Sequence, residues 1–283
     1  MKNALKKITA LLVVSVSINM QQVYAQSEKG FYVSFNTGYN IGTGQPNTAA
    51  AYTMQFVDAT EPNSSTSTQE IPKINLGEGF NVGLNGGYMF NKNIGVELGL
   101  NYLISDKINT SRTSYTGDYR NNEISAKMLQ IKPTIVFRGG YDKINPYAKL
   151  GMVIGYGKMI TESEYKESGN VAKTTFELDE GLPIGFQGSL GALYKINDTF
   201  SLFGELDLIS LTYSPKKGTY TKYDVNGADI LSSMSVQSKE FEFVDSFTTD
   251  TTSPPDSTQP GKSPAVPFSF NSIGLNVGVQ YQF

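Results

Sequence analysis

The chain has 283 residues with 23 basic and 26 acidic side chains, a formal charge of −3, and no cysteine, histidine or tryptophan. These counts exclude a disulfide framework and any nucleophile activated by histidine, and the acidic balance excludes a general nucleic-acid binder. Twenty-eight glycines, 17 tyrosines and 16 phenylalanines favour strands over helices.

The chain opens with Lys2, Lys6 and Lys7, an apolar run from Ile8 to Ile18, and Val23-Tyr24-Ala25 before Gln26. A positive start, a short apolar stretch and a small-residue junction form a secretory signal, so residues 1–25 are read as a cleaved signal peptide and 26–283 as the mature domain. Its removal leaves 20 basic residues against 26 acidic ones, a mature charge of about −6. No later stretch approaches the roughly 20 apolar residues of a membrane helix, so a membrane location requires a closed barrel.

From Gly30 the sequence alternates, with Phe31, Val33, Phe35, Tyr39 and Ile41 on one face and Ser34, Asn36, Gly38 and Asn40 on the other. This period of two predicts the first strand. A long polar segment, Gly42 to Asn75, contains an apolar island from Tyr52 to Val57. The second strand covers Phe80 to Phe90, the tight turn Asn91-Lys92-Asn93 follows, and the third covers Ile94 to Ile104. After a polar loop from Ser105 to Ser125, the fourth strand runs from Leu129 to Arg138, where Pro133 predicts a bulge because it cannot donate to the ladder. A short connection leads to the fifth strand, Tyr147 to Tyr156, and then to a third polar loop, Thr161 to Gly181. The sixth strand, Ile184 to Lys195, and the seventh, Phe200 to Leu208, flank the turn Asn197-Asp198. The fourth polar segment, Ser214 to Pro267, ends in low-complexity sequence from Thr248 that is expected to be unstructured. The eighth strand is Ser272 to Phe283, with Ile273, Leu275, Val277, Val279, Tyr281 and Phe283 on one face.

Connections therefore alternate long and short. In an antiparallel meander this places four long loops at one end and three tight turns at the other, the asymmetry of outer-membrane barrels. The expected fold is all-β: an eight-stranded antiparallel up-and-down transmembrane β-barrel with four long extracellular loops. A hairpin hidden around Lys239 to Val244 would make ten strands.

The apolar face is expected to point outward, with Tyr39, Tyr88, Phe90, Tyr102, Phe137, Tyr156, Tyr194 and Phe200 near strand ends as interfacial girdles. The other face is mostly small and polar, and its charges alternate in sign: Glu97, Lys132, Lys149, Glu205 and Asp207. An eight-stranded barrel is just wide enough to be filled by side chains. These five are expected to pair across the lumen as a plug, because a buried unpaired carboxylate costs several kcal/mol. With the faces exchanged, the same pattern would be a soluble lipocalin-like carrier.

The chain resembles the small eight-stranded outer-membrane barrels of Gram-negative bacteria, the OmpA/OmpX-like "porin family" group. The resemblance rests on Phe31-Tyr32-Val33-Ser34-Phe35-Asn36-Thr37-Gly38-Tyr39, on Pro146-Tyr147-Ala148-Lys149-Leu150-Gly151, and on the closing Tyr281-Gln282-Phe283. It implies that Tyr281 and Phe283 form the signal read by the barrel-assembly machinery. It also implies that Glu97, Lys149 and Glu205 form the interior ion-pair network, with Lys132 as a further partner. Unlike OmpA, the sequence is not expected to carry a periplasmic peptidoglycan-binding domain. The Ala-Gln junction and the Ser/Thr/Tyr-rich loops resemble those of Bacteroidetes.

No Walker loop, Rossmann fingerprint or metal cluster is present, and Asp179-Glu180 and Asp118 with Glu123 read as solvated loop charges. No cofactor and no enzymatic activity are expected. The expected partners are outer-membrane lipids, the assembly machinery and an extracellular partner bound through the loops; a narrow channel for ions or small solutes is the alternative.

Overall fold

The structure is a computed structural model that describes residues 29–43, 74–113, 117–248 and 256–283. The signal at 1–25 and the apolar island at 52–57 lie outside the described residues. None of the described helices is long and apolar enough to cross a membrane.

Eight strands close a ring: β1 (Gly30–Gly42), β2 (Gly79–Met89), β3 (Ile94–Ser105), β5 (Tyr119–Arg138), β6 (Ile144–Glu167), β8 (Ile184–Lys195), β9 (Phe200–Ser210) and β16 (Ser272–Gln282). Each pairs antiparallel with its neighbours, and β16 returns to β1 with Phe35 opposite Val279 and Tyr39 opposite Leu275. Closure leaves no edge, so backbone polar groups are satisfied strand to strand, the condition for crossing a bilayer with strands.

Alternation sorts the faces. On β3 every second residue is buried from Gly95 to Ser105 and the others are exposed. Outward Leu98, Leu150, Leu190, Leu206 and Leu275 are 52–65 % exposed. In water each would forgo about 1.5–3 kcal/mol of burial, whereas in hydrocarbon it is solvated. The inward face holds Ser34, Asn36, Asn81, Asn101, Gln130 and the charged residues, all buried. Among the described residues the lower body of the ring is thus lined by polar and charged side chains and not by the apolar cavity a lipocalin-like carrier needs.

The short connections are built by side chains. Asn91 Oδ1 accepts from the Asn93 and Ile94 backbone N–H groups at 2.8 and 2.9 Å. Asn197 Oδ1 does the same for Thr199 and Phe200, at 2.9 and 2.8 Å. Both turns lie where the sequence places them.

Four expectations are corrected. Pro133 makes no bulge: Ile131 faces Ile154 and Thr134 faces Gly151 in one register, and only Lys132 and Pro133 drop out of the pairing with β6. The extra residue falls instead at Asp106–Lys107. Between Ile104 and Ile108 this strand advances four positions while β5 advances three, from Lys127 to Ile124.

The polar loops are not open loops. β5 and β6 continue past the ring and carry a second sheet in the order β4 (Ile108–Thr113), β5, β6, β7 (Asn170–Asp179), β11 (Lys217–Val225), β13 (Glu240–Val244) and β14 (Gly261–Pro264). β6 is 24 residues long, of which Ile144 to Ile154 pair with β8 in the ring and Met159 to Glu167 with β7 above it. Ser168 and Gly169 turn β6 into β7 with φ of 50° and 85°, a two-residue hairpin that requires positive φ at both positions. Asn226 and Gly227, φ 54° and 86°, turn β11 into β12 (Ala228–Asp229) in the same way.

The segment at 240–244 is a strand, but it joins this upper sheet through β11 and β14, so the ring has eight strands and not ten. Within the stretch expected to be unstructured, β14 pairs parallel with β13, Phe241 to Gly261 through Val244 to Pro264. A short helix α1 (Val236–Lys239), capped by Ser235, precedes β13.

Candidate functional site

The lumen and the sheet above it are the two places where side chains converge. In the lumen, Lys149 on β6 is central. Its Nζ lies 2.8 Å from Glu97 Oε1 on β3 and 2.8 Å from Glu205 Oε2 on β9. β5 stands between β3 and β6, and β8 between β6 and β9, so one lysine reaches over a strand on each side. Lys132 Nζ is 3.8 Å from Asp207 Oδ2, which also accepts from Asn276 Nδ2 at 2.9 Å. Tyr32 Oη donates to Glu97 Oε2 at 2.9 Å. All five charged residues singled out in the sequence are at most 8 % exposed.

Sequence reasoning left Arg138 out of this group. Its guanidinium lies 4.8 Å from the Tyr32 ring centre, and Nη2 donates to Gln280 Oε1 at 3.0 Å. With Arg138, three cations face three carboxylates, so the lumen carries no formal excess charge. The signal was present, since Arg138 shares the inward alternation of Lys132 and Thr134. Around Ser34, Glu97, Arg138, Tyr147, Lys149 and Phe203 a cavity of only about 10 Å³ remains. Above this layer the wall of β1, β2 and β3 is an amide ladder: Asn85 donates to Ser34 Oγ and Asn36 Oδ1, and Asn81 to Asn40 Oδ1 at 2.9 Å.

The end of the ring that carries the long connections is closed differently. Ile74, Leu76, Leu211, Tyr213, Phe268 and Phe270 from the first and fourth long connections pack with Leu103, Ile124, Met128, Val153, Met159 and Ile209 of the wall. β10 (Thr212–Tyr213) pairs with β15 (Phe268–Ser269), and the Tyr213 and Phe270 rings meet edge to face at 6.0 Å. Asn75 ties the two connections together: its Nδ2 donates to Thr43 O and Asn271 O, and its Oδ1 accepts from Gly77 N. The plug therefore has an ionic lower layer and an apolar upper one.

On the upper sheet, one face stacks Phe176 on Tyr220 at 4.7 Å, with Phe241 at 5.6 Å from Phe176 and Tyr223 at 5.4 Å from Tyr220. The Tyr165 and Tyr223 hydroxyls are 2.9 Å apart, and the Arg120 guanidinium lies 5.2 Å over the Tyr165 ring. That hydroxyl pair, with partial burial, pushes the Tyr165 phenol up to about 12. The opposite face is laced with exposed pairs: Lys107–Glu123 at 2.6 Å, Lys158–Glu177 at 2.7 Å and Lys173–Glu164 at 3.0 Å. The Tyr119 hydroxyl and Lys173 together hold the Glu164 carboxyl below its ordinary range. A polar groove of about 510 Å³ crosses five strands and is lined by Asn109, Asn121, Glu162, Ser163, Lys173 and Lys222 among others. Among the described residues no group of three His, Cys, Asp or Glu side chains could hold a metal ion.

Tyr281 and Phe283 lie at the turn end of the ring, their rings 4.9 Å apart, with Phe200 at 5.2 Å from Tyr281. Asp118 contacts Ser168 N through Oδ1, and Glu180 pairs with Lys217 at 2.6 Å, so these loop carboxylates have local structural partners.

Several solved structures are similar to this chain. Neisserial surface protein A is 12 % identical with a TM-score of 0.35, covering 90 % of this chain and 97 % of that one. Ail, the attachment invasion locus protein of Yersinia pestis, solved with a heparin analogue, is 9 % identical at 0.33, covering 92 % and 100 %. The outer membrane protease OmpT of Escherichia coli is 8 % identical at 0.37, covering 94 % and 100 %. No curated protein matches by sequence. A family model described as the outer membrane protein beta-barrel domain matches residues 8–238. The chain, with its closed ring, apolar belt and polar lumen, belongs to this outer-membrane β-barrel family, and its place is the bacterial outer membrane.

Proposed function

We propose that this protein is a closed, non-catalytic, non-conducting barrel that holds a folded β-sheet above the outer membrane for contact with a macromolecular partner. The observation that carries the reading is the continuity of β5 and β6, which run from the ring into the upper sheet without a break. Such strands transmit the rigidity of the ring to a surface displaying Arg120, Tyr165 and Tyr223. Arginine and tyrosine are residues that dominate binding surfaces, because they combine large contact area with polar ends. The filled lumen argues against the narrow-channel alternative. A sequence without histidine or cysteine supports a non-catalytic role.

In the same reading, outer-membrane lipids solvate the apolar belt, and the barrel-assembly machinery recognises the strand bearing Tyr281 and Phe283. Interior pairing of Glu97, Lys132, Lys149, Glu205 and Asp207 serves to keep the ring shut.

The test has two arms. Protein reconstituted in planar bilayers is expected to pass no resolved current, and stepwise conductance would return the channel reading. Cells displaying wild-type protein and the Arg120→Ala/Tyr165→Ala/Tyr223→Ala variant at equal surface density are compared for adhesion to sister cells and to matrix proteins. The variant is expected to adhere several-fold less; equal adhesion removes this surface as the contact.

A further inference from the structure

Two adjacent glycines on β2 differ in what explains them. Gly87 points into the lumen, where an added Cβ would lie 2.2 Å from the Tyr32 ring, so the ring's packing requires glycine there. Gly86 points outward, and an added Cβ would meet nothing within 4 Å. A glycine inside a strand weakens it and commonly marks a place where another molecule approaches closely.

Outside Gly86 there is an apolar notch of about 680 Å³, walled by Phe31, Val33, Tyr88, Leu98 and Phe283. Val33 and Leu98 face Gly86 from β1 and β3, and Phe31 stacks on Tyr88 at 4.7 Å. The notch sits on the membrane-facing side of the ring, at the end carrying the tight turns. There an exposed Lys29 precedes β1 and an exposed Lys92 follows β2.

We propose that this notch is a binding site for one acyl chain of a phospholipid from the periplasmic leaflet, with its phosphate at the level of Lys29 and Lys92. The apolar walls match a hydrocarbon chain. The turn end of an outer-membrane barrel faces the periplasm, which selects a phospholipid of the inner leaflet over an outer-leaflet lipid. An anionic head group is drawn to ammonium groups at the interface. Gly204 on β9 provides the internal contrast: it too is open, with nothing within 4 Å of an added Cβ, but where Leu98 stands beside Gly86 it has Ala192, too small to complete a slot with Val277.

The experiment is native mass spectrometry of folded protein released from phosphatidylglycerol nanodiscs, with folding checked by heat-modifiable gel migration. Wild type and Gly204→Leu are expected to retain one phospholipid. Gly86→Leu, which fills the slot, is expected to lower the retained fraction at least tenfold, and Lys29→Gln/Lys92→Gln several-fold. Equal retention by wild type and Gly86→Leu overturns the site, as does equal loss in Gly86→Leu and Gly204→Leu. Should Gly86→Leu not fold, a photoreactive acyl-chain phospholipid decides the matter on wild-type protein. Labelling concentrated on peptides containing Val33, Tyr88 and Leu98 supports the site, and labelling spread evenly around the ring overturns it.

Discussion

Lys149 and Glu97 meet at 2.8 Å across the lumen, although β5 stands between the strands that carry them. A lysine that spans a strand on the way to its partner ties non-adjacent staves of the barrel, which backbone ladders cannot do. Replacing it by Lys149→Met leaves Glu97 and Glu205 buried without their cation, a loss expected to cost about 3–5 kcal/mol. The urea midpoint of the folded barrel in lipid should fall accordingly. Adding Glu97→Gln and Glu205→Gln removes the stranded charges and should restore most of the loss; a triple variant as weak as Lys149→Met would refute the account.

The apolar and ionic layers of the plug are separable. Phe270→Ala removes a ring that is 1 % exposed and is expected to cost about 3–5 kcal/mol. Amide exchange at residues 270 and 211 should quicken, since residue 270 N donates to Leu211 O at 2.9 Å and Leu211 N donates to Asn271 Oδ1 at 2.8 Å. Conductance should nevertheless stay absent, because the charged layer beneath is untouched. Current through Phe270→Ala would show the upper layer to be the seal.

Gly87→Ala drives a methyl group into the Tyr32 ring, whereas Gly86→Ala adds one facing open space. The first is expected to lose about 1–3 kcal/mol by overpacking, and the second to stay within about 0.5 kcal/mol of wild type. Equilibrium unfolding in detergent of the two single variants distinguishes them.

On the upper sheet, the Tyr165 phenol is raised from 10.0 to about 12 by its contact with Tyr223. A raised value means that the folded state holds this proton more tightly than the unfolded one. Its contribution to stability is therefore complete below pH 10, and is lost as pH rises through about 12. Phenolate absorbance should show a late-ionising tyrosine that disappears in Tyr165→Phe. A titration of Tyr165→Phe superimposable on wild type would contradict the assignment.

The eight ring strands could be read because each is solvated differently on its two faces. Ile94 to Ile104 reads as alternation in sequence and is alternation in space. Glu97, Lys132, Lys149, Glu205 and Asp207 could be named as inward because their register is fixed by the apolar residues flanking them. The upper sheet escaped the same reading. Its charged pairs face water on one side, and the face that carries Arg120, Tyr165 and Tyr223 mixes Thr110, Asn122, Ser163 and Thr174 with Ile124 and Phe176, so the hydrophobic period is faint. Local signals were there in Ser168-Gly169 and in Asn226-Gly227, each a two-residue hairpin turn.

The sequence by itself determined the closed barrel and five of the charges inside it. Those follow from a period of two and from the rhythm of long and short connections, both local properties of the chain. Tertiary structure decided which carboxylate meets which lysine, that Arg138 completes the set, and that Phe270 and Tyr213 fold back to stopper the mouth. These depend on strand stagger and on contacts between segments far apart in sequence, and so on distances that no local pattern encodes.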